Sequence, residues 1–87
     1  MASRARRIAK SVHSPNQAAL CELLIEARDK AGLTQQSLAK RLGKHQSFIA
    51  KYESGERRID VIEFLTISRA IGIDPIQLLK ALIRRIT

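Results

Sequence analysis

The chain has 87 residues, of which 16 are lysine or arginine and 8 are aspartate or glutamate, so its formal net charge is +8 at pH 7. This length predicts one domain, without room for a separate catalytic or ligand-binding domain. The single cysteine, Cys21, excludes an internal disulfide, and His13 and His45 lie too far apart for a zinc motif. The positive charge favours a polyanionic partner, although an ordinary lysine-rich surface explains it equally well.

The first helix is predicted after a basic arm, residues 1–13, which contains no acidic residue. Ser14 is typical of an N-cap, Pro15 of the first helical position, and Gln17 of the third position in a capping box. Gly32 is expected to end this helix in the left-handed conformation. Its apolar stripe with helical periodicity comprises Leu20, Leu23, Leu24, Ala27 and Ala31.

Two short helices are predicted next, each bounded by glycine. Thr34 caps the second helix, and Gly43 lies where the backbone must turn sharply, which favours a positive φ. The third helix is predicted from about Gln46 to Ser54, although His45 is a weak N-cap for it. The residues expected to fasten both helices to the core are Leu38, Leu42, Ile49 and Tyr52, and the small Ala39 is expected to let the two helices cross at close range.

The fourth helix is predicted to begin after Asp60, with Glu63 three residues later, and to end at Gly72. It bears Val61, Phe64, Leu65 and Ile71 as apolar residues.

The fifth helix is predicted to follow Asp74, Pro75 and Gln77, which repeat the cap, proline and capping-box pattern, and to reach the C-terminus. Leu78 and Leu82 form one apolar stripe on it. Because two stripes on one helix leave apolar surface to cover, the other is expected to form a dimer interface. That stripe comprises Ile76, Leu79, Ile83 and Ile86.

No segment alternates apolar and polar residues between hairpin signals, so the chain is predicted to be all-α, with five helices in one compact unit. No apolar run approaches the roughly 20 residues that span a bilayer. The basic N-terminus lacks the apolar stretch of a secretory signal. We therefore expect a cytoplasmic protein that does not associate with membranes.

These features resemble the lambda-repressor-like, Cro-type (XRE) helix-turn-helix family. The resemblance covers about Gln17–Ile86 and implies a five-helix DNA-binding domain, residues 14–87, that usually dimerises on a two-fold-related operator. The residues that carry it are Arg28, Gly32-Leu33-Thr34-Gln35, Leu38-Ala39, Leu42-Gly43, Ile49 and Tyr52-Glu53-Ser54-Gly55.

The resemblance places the base-reading residues on the third helix: Gln46, Ser47, Ala50 and Lys51. Their chemistry agrees, because glutamine pairs with adenine, lysine favours guanine and alanine can contact a thymine methyl. The alternative is that they are solvated polar residues on an exposed face. Gln35 is implied to bind a backbone phosphate, where the free amides of a helix N-terminus also favour an anion.

Arg28 and Glu53 resemble a structural ion pair between the first and third helices rather than DNA contacts. Lys44, Arg57 and Arg58 flank the third helix and are expected to neutralise phosphates. Arg57 could instead pair with Glu56 or Asp60. The arm could contact DNA through Arg4, Arg6, Arg7 and Lys10, or serve only as a solubilising tail.

The sequence therefore predicts a sequence-specific transcriptional regulator that binds double-stranded DNA. In the simplest case it is a homodimeric repressor. RNA polymerase is a possible protein partner. The alternative is an antitoxin-type module that binds a toxin and autoregulates its operon. An enzyme is not expected, since no nucleophile–base pattern, phosphate-binding glycine loop or metal motif is present. No cofactor or metal is predicted.

Overall fold

The computed structural model describes residues 14–86. Five α-helices lie in this range, and no strand does. The all-α prediction is therefore confirmed, while the basic arm and its four cations lie outside the described residues. The helices are α1 Pro15–Lys30, α2 Gln35–Leu42, α3 Gln46–Ser54, α4 Val61–Ile71 and α5 Pro75–Arg85.

The helix starts are capped by side chains, although not always as predicted. Ser14 accepts a hydrogen bond from the amide of Gln17, at 3.1 Å, but the Gln17 side chain does not return one, so the predicted capping box is only half formed. The box predicted at Asp74 is also wrong, because its carboxylate bonds the amide of Ile76 instead of that of Gln77. Reciprocal boxes form at the starts of α2 and α4.

The core forms where α1, α2, α3, α4 and α5 face one another. Every helix buries apolar side chains in this core, away from water, and their packing fixes how the helices cross. Two predicted assignments fail at helix ends: Ala31, the C-cap of α1, is exposed, and Val61, the first residue of α4, points outward. The buried core residues are Leu23, Leu24, Ala27, Leu38, Ala39, Ile49, Tyr52, Ile67, Ile71 and Leu78.

The turn between α2 and α3 depends on Gly43. Its φ is +67°, as the sequence predicts, and the amide of Lys44 closes the end of α2 by donating to the Ala39 carbonyl at 2.9 Å. A Cβ on Gly43 would meet no atom within 4 Å. A side chain there would therefore be opposed by backbone strain, not by a clash.

Helix α5 packs on the domain through one apolar stripe and exposes the other. Leu78 is buried and Leu82 is half-buried, whereas Ile76, Leu79 and Ile83 are 56%, 42% and 58% exposed. Ile86 does not extend the exposed row as predicted: the helix ends at Arg85, and Ile86 has extended dihedrals and is half-buried.

An ion pair between Arg85 and Glu26, 2.6 Å between Nη2 and Oε1, fixes the end of α5 against α1. Within residues 14–86, no helix has the length and apolarity needed to span a bilayer.

Candidate nucleic-acid interface

Helix α3 is buried on one side and polar on the other. Ile49 and Tyr52 anchor it to the core with 0% and 2% exposure. Because side chains three and four apart share a helix face, this anchoring leaves the other side turned to solvent. The predicted base-reading residues lie there: Gln46, Ser47 and Lys51 are exposed, and Ala50 is half-buried.

The start of α3 is well formed despite its unusual cap. The Nδ1 atom of His45 accepts a hydrogen bond from the Ser47 amide at 3.2 Å and lies 3.1 Å from the Ser47 hydroxyl. His45 therefore takes the role that Ser, Thr, Asn or Asp usually has at this position. The sequence-based reservation about His45 as an N-cap was wrong, because an imidazole nitrogen can accept this bond.

The ion pair implied between α1 and α3 is present. Arg28 donates to Glu53 through Nε at 2.7 Å and Nη2 at 3.1 Å, and through Nη1 to the Leu33 carbonyl at 2.8 Å. The two side chains are only 12% and 4% exposed. This bidentate bonding raises the pKa of Arg28 above its ordinary value.

Gln35 bonds this ion pair directly, and Gln46 bonds Gln35. The side-chain nitrogen of Gln35 donates to Glu53 Oε1 at 2.9 Å, and that of Gln46 donates to Gln35 Oε1 at 3.1 Å. The structure therefore brings a predicted phosphate contact and a predicted base contact together with the structural ion pair. The sequence contains no periodic signal for these bonds, because they join residues of α2 to residues of α3.

Arg57 has a different partner from those predicted. Its guanidinium bonds the carboxylate of Glu63, with the shortest contact at 2.7 Å, and makes no ion pair with Glu56 or Asp60. Glu63 lies within reach because it folds back to bond the Asp60 amide at 2.9 Å in the capping box of α4. The Arg57 side chain nevertheless stays 41% exposed, so it can still face an anion.

Phe48 supports the basic residues on both sides of α3. Its ring packs edge-on against Tyr52, with 5.5 Å between centroids. The ammonium of Lys44 lies 5.4 Å from the centre of the Phe48 ring and the guanidinium carbon of Arg57 lies 4.8 Å from it. Phe48 itself is half-buried and packs against the edge of the core. Lys44 is exposed in the turn, and Arg58 is half-buried after α3.

Acid titration is expected to remove the contribution of the Arg57–Glu63 pair. Hydrogen bonds from Arg57, and then from the Asp60 amide, lower the pKa of Glu63 below its ordinary 4.5. Its stabilising effect is therefore complete above pH 4.5 and is lost as pH falls through the lowered pKa. At pH 7, Glu63→Gln should reduce the free energy of unfolding by no more than about 1 kcal/mol, since exposed ion pairs contribute little.

The measurement is urea unfolding of wild type and Glu63→Gln from pH 7 to pH 3. The gap between their unfolding free energies should narrow as pH falls, because protonation of Glu63 makes its side chain neutral like that of glutamine. Glu56→Gln is the matched control, because the exposed Glu56 makes no ion pair with residues 14–86. A gap that is constant with pH would contradict this assignment.

The matches to known proteins agree with this geometry. The helix-turn-helix family model matches residues 24–78. An XRE-family-like protein from Pseudomonas syringae pv. tomato is 51% identical, with a TM-score of 0.79 over 88% of this chain and 94% of its own. The restriction-modification controller protein C.AhdI from Aeromonas hydrophila is 30% identical, with a TM-score of 0.65 over 70% of this chain and 92% of its own. No curated protein matches the chain.

The fold and the exposed face of α3 therefore define a helix-turn-helix DNA-binding protein. The chain belongs to the XRE family, and it is a DNA-binding transcriptional regulator.

Proposed function

We propose that this regulator is a homodimeric repressor that reads the major groove with α3 and prevents transcription by covering its operator. The observation that carries the proposal is the polar face of α3, held rigid by the buried Ile49 and Tyr52 on its other side. A reading helix must present its side chains in a fixed register, since discrimination depends on the geometry of paired hydrogen bonds. As a regulator, the protein acts by binding and not by catalysis.

The base contacts proposed follow from side-chain chemistry. The Gln46 amide suits adenine, the Lys51 ammonium suits guanine, Ser47 can serve as donor or acceptor, and Ala50 can touch a thymine methyl. The phosphate contacts are assigned to Gln35, Lys44, Arg57 and Arg58, which lie before or after α3 or at the start of α2. These contacts set register and affinity, whereas the α3 contacts set sequence.

The proposed dimer forms through the exposed apolar row of α5, which is Ile76, Leu79 and Ile83. A two-fold axis beside this row would place two α3 helices about 34 Å apart, one turn of DNA, in adjacent major grooves. The likeness to a restriction-modification controller supports a regulatory role of this kind.

Replacing Gln46 with alanine is expected to relax discrimination at one base pair by about 1–3 kcal/mol, since a bidentate contact to adenine is lost. Lys51→Ala should do the same at a different base pair. The probe is a duplex selected by the wild-type protein from a random-sequence pool, compared with each of its single-base-pair variants.

Gln77→Ala is the matched control, because Gln77 is also an exposed glutamine but lies on α5. It should leave discrimination at every base pair unchanged. The proposal fails if joint replacement of Gln46, Ser47 and Lys51 by alanine does not alter the preference for the selected duplex over a scrambled one.

A further inference from the structure

A chain of hydrogen bonds runs from a buried carboxylate to the exposed end of a proposed base-reading side chain. It begins at Glu53, which is 4% exposed and held by Arg28 at 2.7 Å. It continues through the Gln35 amide, 2.9 Å from Glu53, to the Gln46 amide, 3.1 Å from Gln35. Glu53 is buried, Gln35 is half-buried and Gln46 is exposed. The chain therefore leads from the interior to the surface of the domain, and the crossing of α2 and α3 sets its course.

The chemistry of Glu53 gives this chain a direction. A carboxylate paired with arginine only accepts hydrogen bonds, whereas a glutamine amide has an accepting end and a donating end. Gln35 must therefore turn its NH₂ group towards Glu53 and its oxygen away. Gln46, facing that oxygen, must in turn present its NH₂ group to Gln35. Reversing either amide would put two acceptors, or two donors, against each other.

We propose that Glu53 is a positioning residue whose carboxylate sets the amide orientation of Gln46, through Gln35, and thereby the base that Gln46 selects. This inference rests on the proposed reading of DNA by α3. With its orientation fixed, Gln46 keeps its oxygen and its second N–H free, which matches the donor and acceptor of adenine in the major groove. The reversed amide would turn its oxygen inward and offer only N–H donors, which suit guanine O6 or thymine O4 and not the amino group of adenine.

This role differs from the purely structural one that the Arg28–Glu53 pair has in joining α1 to α3. A structural loss would weaken binding to every duplex alike, because it changes the amount of folded protein. A lost orientation would change the ranking of bases at one position only. Gln35 keeps a second N–H beyond the one given to Glu53, so a phosphate contact by Gln35 is compatible with the chain.

The experiment uses the full chain and the duplex that it selects from a random-sequence pool. Gln46→Ala first identifies the base pair that Gln46 reads, where a loss of about five-fold or more is expected. Glu53→Gln, which keeps the side-chain volume, should relax discrimination at that same base pair by about tenfold, as expected for loss of one charge-assisted hydrogen bond. Discrimination at the base pair read by Lys51 should not change.

Gln35→Met breaks the chain while leaving the ion pair intact. It should reproduce the same base-specific relaxation, together with a uniform loss from its phosphate contact. In the double variant Gln35→Met/Glu53→Gln, the second substitution should not reduce base discrimination further, because Glu53 acts on Gln46 only through Gln35. Asp29→Asn is the control: it removes a carboxylate 3.4 Å from the same Arg28 but lies outside the chain.

The outcomes separate the inference from the proposed function. If Gln46→Ala changes discrimination but folded Glu53→Gln and Gln35→Met weaken all duplexes equally, Glu53 has no positioning role. If Glu53→Gln does not fold, Gln35→Met alone decides: a uniform loss of binding to all duplexes contradicts the inference, and a loss of discrimination at the Gln46 base pair supports it. If Gln46→Ala changes discrimination at no base pair, base reading by α3 fails and the inference fails with it.

Discussion

Replacing Ile83 with glutamate is expected to give a monomer and to weaken binding to a two-half-site duplex by about 10²–10⁴-fold. The loss is large because a dimer binds its second half-site as an intramolecular event, and that gain disappears when the subunits separate. Ile83 is suited to this test because it is 58% exposed on α5. A buried carboxylate at a subunit contact is strongly opposed, yet the isolated subunit can keep the introduced carboxylate in water.

Ile83→Glu is expected to change the oligomeric state of the protein and not the binding of each subunit to its half-site. Sedimentation equilibrium should show the 9.8 kDa chain as a dimer in the wild type and as a monomer in Ile83→Glu. Gln77→Glu adds the same charge to the polar side of α5, so it should stay dimeric and bind as the wild type does. Binding to a single half-site should be the same for all three proteins. A dimeric Ile83→Glu would place the contact elsewhere, and a monomeric wild type would remove the dimer from the proposal.

How α5 sits on the domain was only partly predictable from sequence. The pattern showed two apolar stripes, and the stripe with Ile76 was assigned to the dimer interface. Leu78 and Ile76 are equally apolar, so periodicity alone did not require that assignment. Packing against α1 makes the choice, and the Arg85–Glu26 ion pair joins the same two helices across 59 residues of sequence. Val61 is a similar case on α4. Its apolar side chain fits the helical pattern, but as the first residue of the helix it is 72% exposed.

The candidate site was also only partly predictable from the sequence. The bounds of α3 follow from local signals, since the turn at Gly43 and the stop at Gly55 are properties of glycine at positive φ. The pairing of Arg28 with Glu53 came only from the family resemblance. The bonds from Gln35 to Glu53 and Gln46, and from Arg57 to Glu63, could not be predicted. They require the crossing of helices to be known before any side chain can be placed.

Removing Arg28 is expected to destabilise the fold strongly. Arg28→Ala should lower the free energy of unfolding by about 3 kcal/mol, because it leaves the buried Glu53 carboxylate without its counter-charge. The Leu33 carbonyl loses its donor as well. Urea unfolding at one protein concentration measures this effect, since the stability of a dimer depends on concentration. Arg84→Ala, at an exposed position on α5, should change stability by no more than about 0.5 kcal/mol.

A double replacement tests why the pair is present. Arg28→Met/Glu53→Leu removes both charges, so it should recover part of the stability that Arg28→Ala loses, as apolar substitutes do for other buried ion pairs. It should not recover base discrimination, because Gln35 then has no carboxylate to face. If Arg28→Ala is as stable as Arg84→Ala, the pair adds little to stability. Recovery of stability without discrimination would show that the buried charge serves recognition more than folding.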